Sequence, residues 1–176
     1  MLKIIMTDIG QNMEFLPLSV LAGGLFLLCT ILVRRYREKK NEGTGRMIHT
    51  DVFRAFFLGF FVLMAQIVFL SREPGSRNSL DLLPGITWTN DLQGKAYVIE
   101  NIILFFPFGF LLMTSFEKIK VWQSVLIGCF VSLLIETLQY CTGRGYCQTD
   151  DVIMNVLGTF FGSFLAYLVK RGCFLS

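Results

Sequence analysis

Charge is scarce in this 176-residue chain: Asp, Glu, Lys and Arg together make up 16% of it, against about 25% in an ordinary soluble domain. Too few ionised side chains remain to cover a surface facing water, so a soluble globular protein is excluded. Histidine occurs once, at His49, and there is neither a CxxC pair nor an HExxH run. Zinc-finger and zincin chemistry are thereby removed. A recognisable Ser-His-Asp signature is also missing. No barrel-like alternation of apolar and polar residues is visible. The net charge of +3 gives almost no support to a nucleic-acid partner.

Apolar residues are what the chain has in excess. It is 53% hydrophobic and 14% aromatic, with a mean hydropathy of +0.58. Five apolar segments stand out, at about 15–33, 52–70, 97–115, 121–140 and 152–169. Each has close to the roughly 20 residues that cross about 30 Å of hydrocarbon. Unpaired backbone groups are too costly in lipid, so helices are expected throughout. The expected fold is an all-α, polytopic transmembrane bundle of about five spans. No internal repeat is visible, and five spans cannot divide into equal halves, which weakens an inverted-repeat transporter. The first span has Lys3 ahead of it and no small-residue cleavage site, and Arg34, Arg35 and Arg37 stop it. A retained anchor is expected rather than a secretory signal.

Lys and Arg set the orientation. Arg34, Arg35, Arg37, Lys39, Lys40, Arg46 and Arg54 fall on the same side as Lys118, Lys120, Lys170 and Arg171, which is 11 of the 16 basic residues. The N-terminus is therefore expected outside and the C-terminus inside. Residues 1–51 form an N-terminal span with a basic cytoplasmic linker, and residues 52–176 a four-span membrane domain. Within that linker, 38–48 reads as a flexible connection. The outer segment 71–96, with Pro74, Gly75, Pro84, Gly85 and Trp88, is expected to lie on the bilayer interface through 80–83 and Trp88.

Ionisable residues inside spans are expensive and mark function. Glu100 and Asn101 open the third span, which then meets Pro107 and Gly109. Either a packing kink or a helix opened to shape a cavity accounts for that break. Glu136 and Gln139 lie about one turn apart, on one face with Tyr140. A carboxyl group at that depth must be protonated, paired or open to a watery pocket. Arg144 is the nearest basic residue in sequence, so a structural Glu136–Arg144 pair and a ligand site both fit. Thr149 or Asp150 suits a helix cap, Asp151 suits the positive helix start, and Asn155 sits one turn further in. Gly158 and Gly162 form a GxxxG pair, extended by Ala166, that allows close helix packing.

All these polar residues fall toward one side of the membrane, with four acids (Glu100, Glu136, Asp150 and Asp151) to one base, Arg144. Such a set suits a cation, a divalent metal through oxygen ligands, or the hydroxyl and amine groups of a lipid headgroup. Without histidine a zinc-activated water has no support, and no resident metal or cofactor is expected. Cys141 and Cys147 bracket the Arg144 loop, either as a disulfide or as two thiols. Cys29 and Cys129 read as apolar fillers, and His49 as a solvated loop residue.

Three blocks resemble the VanZ-like family of bacterial polytopic membrane proteins. One is Ser71-Arg72-Glu73-Pro74-Gly75-Ser76-Arg77. A second runs from Glu100-Asn101 through Phe105-Phe106-Pro107-Phe108-Gly109 to Leu112. The third runs from Glu136-Thr137-Leu138-Gln139 through Gly143-Arg144-Gly145 and Asp150-Asp151 to Asn155, Gly158 and Gly162. The family pattern, carried over, marks Asn101, Pro107, Gly109, Glu136, Gln139, Arg144, Asp151, Asn155 and Gly158. Asp81 stands where many members have asparagine. The resemblance implies a multi-pass protein of the bacterial cytoplasmic membrane that lowers binding of teicoplanin, a lipid-tailed glycopeptide, at the outer surface. Implied partners are membrane lipids and a lipid headgroup, a cell-wall precursor or the glycopeptide itself, not nucleic acid.

Two other readings remain open on the residues. A membrane enzyme would modify a lipid-linked substrate with Glu136 or Asp151 as base or metal ligand. A transporter would use Glu136 as a proton or cation site, although charges are sparse in the inner halves of the spans.

Overall fold

The computed structural model describes residues 1–40, 48–71, 73, 75, 80–85 and 92–173. The part of the linker at 41–47 and the interfacial anchor expected at Trp88 lie outside them, as do Arg72, Pro74 and Arg77. Six helices account for nearly all of the described chain: α1 (Leu2–Asn12), α2 (Leu16–Lys39), α3 (Ile48–Leu70), α4 (Leu92–Ser115), α5 (Val121–Thr142) and α6 (Thr149–Cys173). Five helical stretches are long and apolar enough to cross a membrane, the first running through α1 and α2 together. The protein is a multi-pass all-α membrane bundle.

The ends of the helices depart from the sequence expectation in instructive ways. α1 precedes the first expected span and joins α2 through a 3-10 turn at Met13–Phe15. Pro17 lies in the first turn of α2, where its missing N–H is not needed. α2 continues through the Arg/Lys run to Lys39, into the part of 38–48 expected as a flexible connection. His49, expected in a loop, is exposed in the first turn of α3. Gln123 accepts from the Lys120 amide at 2.9 Å to start α5, and Gly143 ends it at φ 64°, a left-handed cap that glycine adopts without strain.

α4 and α6 form the most intimate pair in the bundle. A Cβ at Gly158 would lie 2.6 Å from the Ile102 carbonyl, and one at Gly162 would overlap the carbonyl of Phe106. Gly109 presents the same bareness from α4 toward Thr159. With lipid outside as apolar as the side chains inside, close backbone approach and polar contacts supply the packing energy. Ser163 provides one such contact by donating to the Gly109 carbonyl at 3.3 Å, and it shares a 2.7 Å hydrogen bond with Ser124 of α5. Met64, Val68, Phe105, Phe108, Leu112 and Ile135 close the apolar centre between α3, α4 and α5. α2 packs mainly on α3 and leaves most of its apolar surface uncovered.

α4 runs unbroken through Pro107. Of the two accounts of that proline, the helix is not opened. The ring still removes one donor, the residue-107 amide that would close the helical turn on the Ile103 carbonyl.

Candidate functional site

Alternation of the spans sends the ends of α1, α3 and α5 and the starts of α2, α4 and α6 to one end of the bundle. A cavity of about 490 Å³ lies there, walled by all six helices. Six of the eight candidate ligand residues line it: Glu100, Asn101, Glu136, Gln139, Asp151 and Asn155. Pro107 lines it too. Arg144 and Asp150 are not among its described lining residues.

The polar side chains are held in place from behind. The Glu136 carboxylate, 3% exposed, accepts from the Gln148 amide at 3.1 Å. Asp151 accepts from the Asn101 side-chain amide at 2.7 Å, joining α4 to α6. The Gln139 side chain donates to the Val68 carbonyl at 3.2 Å, joining α5 to α3. Asn155, also 3% exposed, donates through Nδ2 to Ser132 Oγ at 2.9 Å, while its Oδ1 is buried with no hydrogen-bond partner. Hydrogen bonds to a second group thus hold Asn101, Glu136, Gln139, Asp151 and Asn155 in the cavity wall.

The loop residues have a different task. The Arg144 guanidinium, offered by sequence spacing as a partner for Glu136, donates to the Phe69 carbonyl instead. Thr149 and Asp150, expected as caps, bind the segment between α3 and α4: the Thr149 hydroxyl donates to the Leu82 carbonyl at 3.0 Å, and Asp150 accepts from the Gly85 amide at 2.7 Å. Leu80–Asp81 and Cys147–Gln148 pair as two-residue parallel strands, β1 and β2. Gln148 also donates to the Asp81 carboxylate at 3.1 Å. Residues 80–85 are thus pinned to the start of α6 and do not float on the interface by apolar contact alone.

Cys141 and Cys147 are free thiols. Burial first, then the nearby Glu136 and Asp151 charges, raises the Cys147 thiol above its ordinary pKa. Among the described residues no three His, Cys, Asp or Glu side chains come together as a metal site.

Sequence reasoning missed α1. Asp8, Ile9, Gln11 and Asn12 of α1 and Met13 of the following 3-10 turn line the cavity, and Ile5 is the buried residue of α1. The signal was there in the spacing of Ile5, Ile9 and Met13 at helical intervals, but the polar residues between them shortened the apolar window below span length.

Taken together, these features describe a class: a small multi-pass membrane protein with an acidic, amphiphilic cavity at one end of its helices. The VanZ/LLP1 family profile matches residues 56–170, and the chain belongs to that family. Protein VanZ of Enterococcus faecium is 34% identical over 86 residues, 49% of this chain. That match spans about half the length of the relative, 51%. No solved structure matches the chain.

Proposed function

We propose that this protein lowers the susceptibility of a bacterial cell to teicoplanin and related lipid-tailed glycopeptides by limiting their binding at the outer cell surface. It sits in the cytoplasmic membrane with the cavity turned outward, the orientation favoured by its Lys and Arg distribution. The observation that carries the reading is the shared cavity lined by Glu100, Asn101, Glu136, Gln139, Asp151 and Asn155. Its combination of fixed polar groups and apolar wall suits a lipid headgroup, a lipid-linked wall precursor or the antibiotic's acyl region. Membership of the VanZ/LLP1 family and similarity to Protein VanZ support the same reading. Occupying such a molecule lowers the density of antibiotic that anchors at the surface.

The test is surface binding of fluorescent teicoplanin to cells expressing wild type, Glu136→Gln or empty vector at equal expression, with vancomycin alongside. Wild type should reduce teicoplanin binding, vancomycin binding should fall less, and Glu136→Gln should return teicoplanin to the vector level. Equal binding to wild-type and vector cells would overturn the reading.

A further inference from the structure

The donors and acceptors of the cavity wall are unequally matched. Asn155 Oδ1 is an acceptor on a 3% exposed side chain, buried without a hydrogen-bond partner, in a residue that lines the cavity. A buried polar group left unmade costs free energy, so a position of this kind is completed by something that donates. Pro107 creates a second acceptor: both it and Ile103 line the cavity, and the Ile103 carbonyl lacks the amide hydrogen that would close its helical turn. Four of the described lining residues are acidic (Asp8, Glu100, Glu136 and Asp151), and none is basic. Both acceptors and all four acids thus belong to residues that line one cavity.

The shape narrows the ligand further. Bare divalent ions need several oxygen ligands converging within about 2.6 Å, whereas no three acidic, histidine or cysteine side chains among the described residues come together as a metal site. Acceptors spread around about 490 Å³ suit a larger group with several hydrogens to give. Phe60, Leu63, Ile67 and Leu104 continue the lining as an apolar wall, in helices that face lipid elsewhere. A ligand with a donating cationic head and an acyl body matches both surfaces.

We propose that the cavity holds the primary ammonium headgroup of a membrane lipid, with an N–H donated to Asn155 Oδ1 and the positive charge facing the Glu136 and Asp151 carboxylates. The assignment rests on the reading of this cavity as the functional site and adds to it the chemical class of the ligand. No bond is made or broken; the lipid is bound and released.

The experiment uses the full chain, extracted in a neutral detergent and loaded with phosphatidylethanolamine or phosphatidylcholine of identical acyl chains, with bound lipid counted by native mass spectrometry. The two heads share a phosphate and a positive charge, but only the first carries N–H donors. Wild type should retain phosphatidylethanolamine at least tenfold better, and Asn155→Leu should reduce that preference to about twofold. Glu136→Gln and Asp151→Asn keep the side-chain shapes and serve where Asn155→Leu does not fold; each should weaken phosphatidylethanolamine retention by tenfold or so. Equal retention of the two lipids by wild type overturns the proposal, as does an unchanged preference in all folded variants. Failure here is separable from failure of the resistance reading. Lipid preference without any effect on teicoplanin binding removes the resistance reading alone, and Glu136-dependent protection without lipid preference removes this inference alone.

Discussion

The two ends of the bundle handle buried charge in opposite ways. At the end where α2 stops and α3 begins, Asp51 is ion-paired with Arg34 of α2 and, at 3.6 Å, with Arg54 of its own helix. Arg54 also donates through Nε to the Ser115 carbonyl at 3.2 Å, and Lys170 to that of Met113, so the ends of α4 and α6 join the same side. Charge there is spent on closing helix against helix. At the other end the acids line a cavity, and hydrogen bonds from neutral groups hold Glu136 and Asp151 beside it. Similar side chains thus form a clasp in one place and the lining of a cavity in the other. Position among partners, rather than residue type, distinguishes the two.

That contrast breaks most visibly if the seam beneath both ends is spoiled. Gly162→Val forces α4 and α6 apart at Phe106 and should cost about 3 kcal/mol, seen as loss of a monodisperse peak on gel filtration in detergent. Asp51→Asn leaves Arg34 and Arg54 facing each other across a partner that no longer balances them. It should destabilise the protein by about 2 kcal/mol, since the pair is not wholly buried and falls below the fully buried range. Thermal unfolding in detergent measures this, with cell-surface teicoplanin binding corrected for expression unchanged. Gln66→Leu removes the 2.9 Å bond to Ser19 that ties α3 to α2 and should cost about 0.6 kcal/mol in the same assay.

The smallest change in stability should come from Glu136→Gln, which keeps an oxygen for the Gln148 amide. Its effect is read instead at Cys147, whose raised thiol pKa leaves little of the reactive thiolate at pH 8. Maleimide labelling of Cys147 in wild type should keep accelerating as pH rises past the ordinary thiol value. Removing the Glu136 charge takes away one of the causes that raise that pKa and should speed labelling at pH 8 about twofold. A clasp-end substitution such as Asp51→Asn should leave the labelling rate alone. If instead Asp51→Asn altered labelling and Glu136→Gln unfolded the protein, the division between the two ends would be wrong.

Much of this was legible in the residues because membranes impose strict rules. Length and hydropathy mark α3 to α6 to within a few residues, except that α4 starts five residues before its expected span. Glu136, Gln139 and Asn155 stand out as polar residues in apolar surroundings, and their spacing gives a shared end of the bundle. What spacing cannot give is the rotamer and the partner. Arg144 lies eight residues from Glu136 yet turns to the Phe69 carbonyl, whose position depends on where α3 ends. Asp150 looks like a cap in sequence, whereas the Gly85 amide that it accepts from comes from 65 residues away. α1 escapes because its apolar face is narrow and its meaning depends on α4, against which it packs.

The glycine seam also bears on how the chain is made. α4 and α6 are tight partners separated in sequence by α5, so α4 enters the membrane before the helix that covers its Ile102 and Phe106 carbonyl face exists. During synthesis that face of α4 must wait against lipid, with α3 and α5 on its other sides, and the finished seam closes only when the last helix arrives. A chain that stalls after α5 therefore leaves the glycine-matched face of α4 uncovered, a marker of incomplete translation.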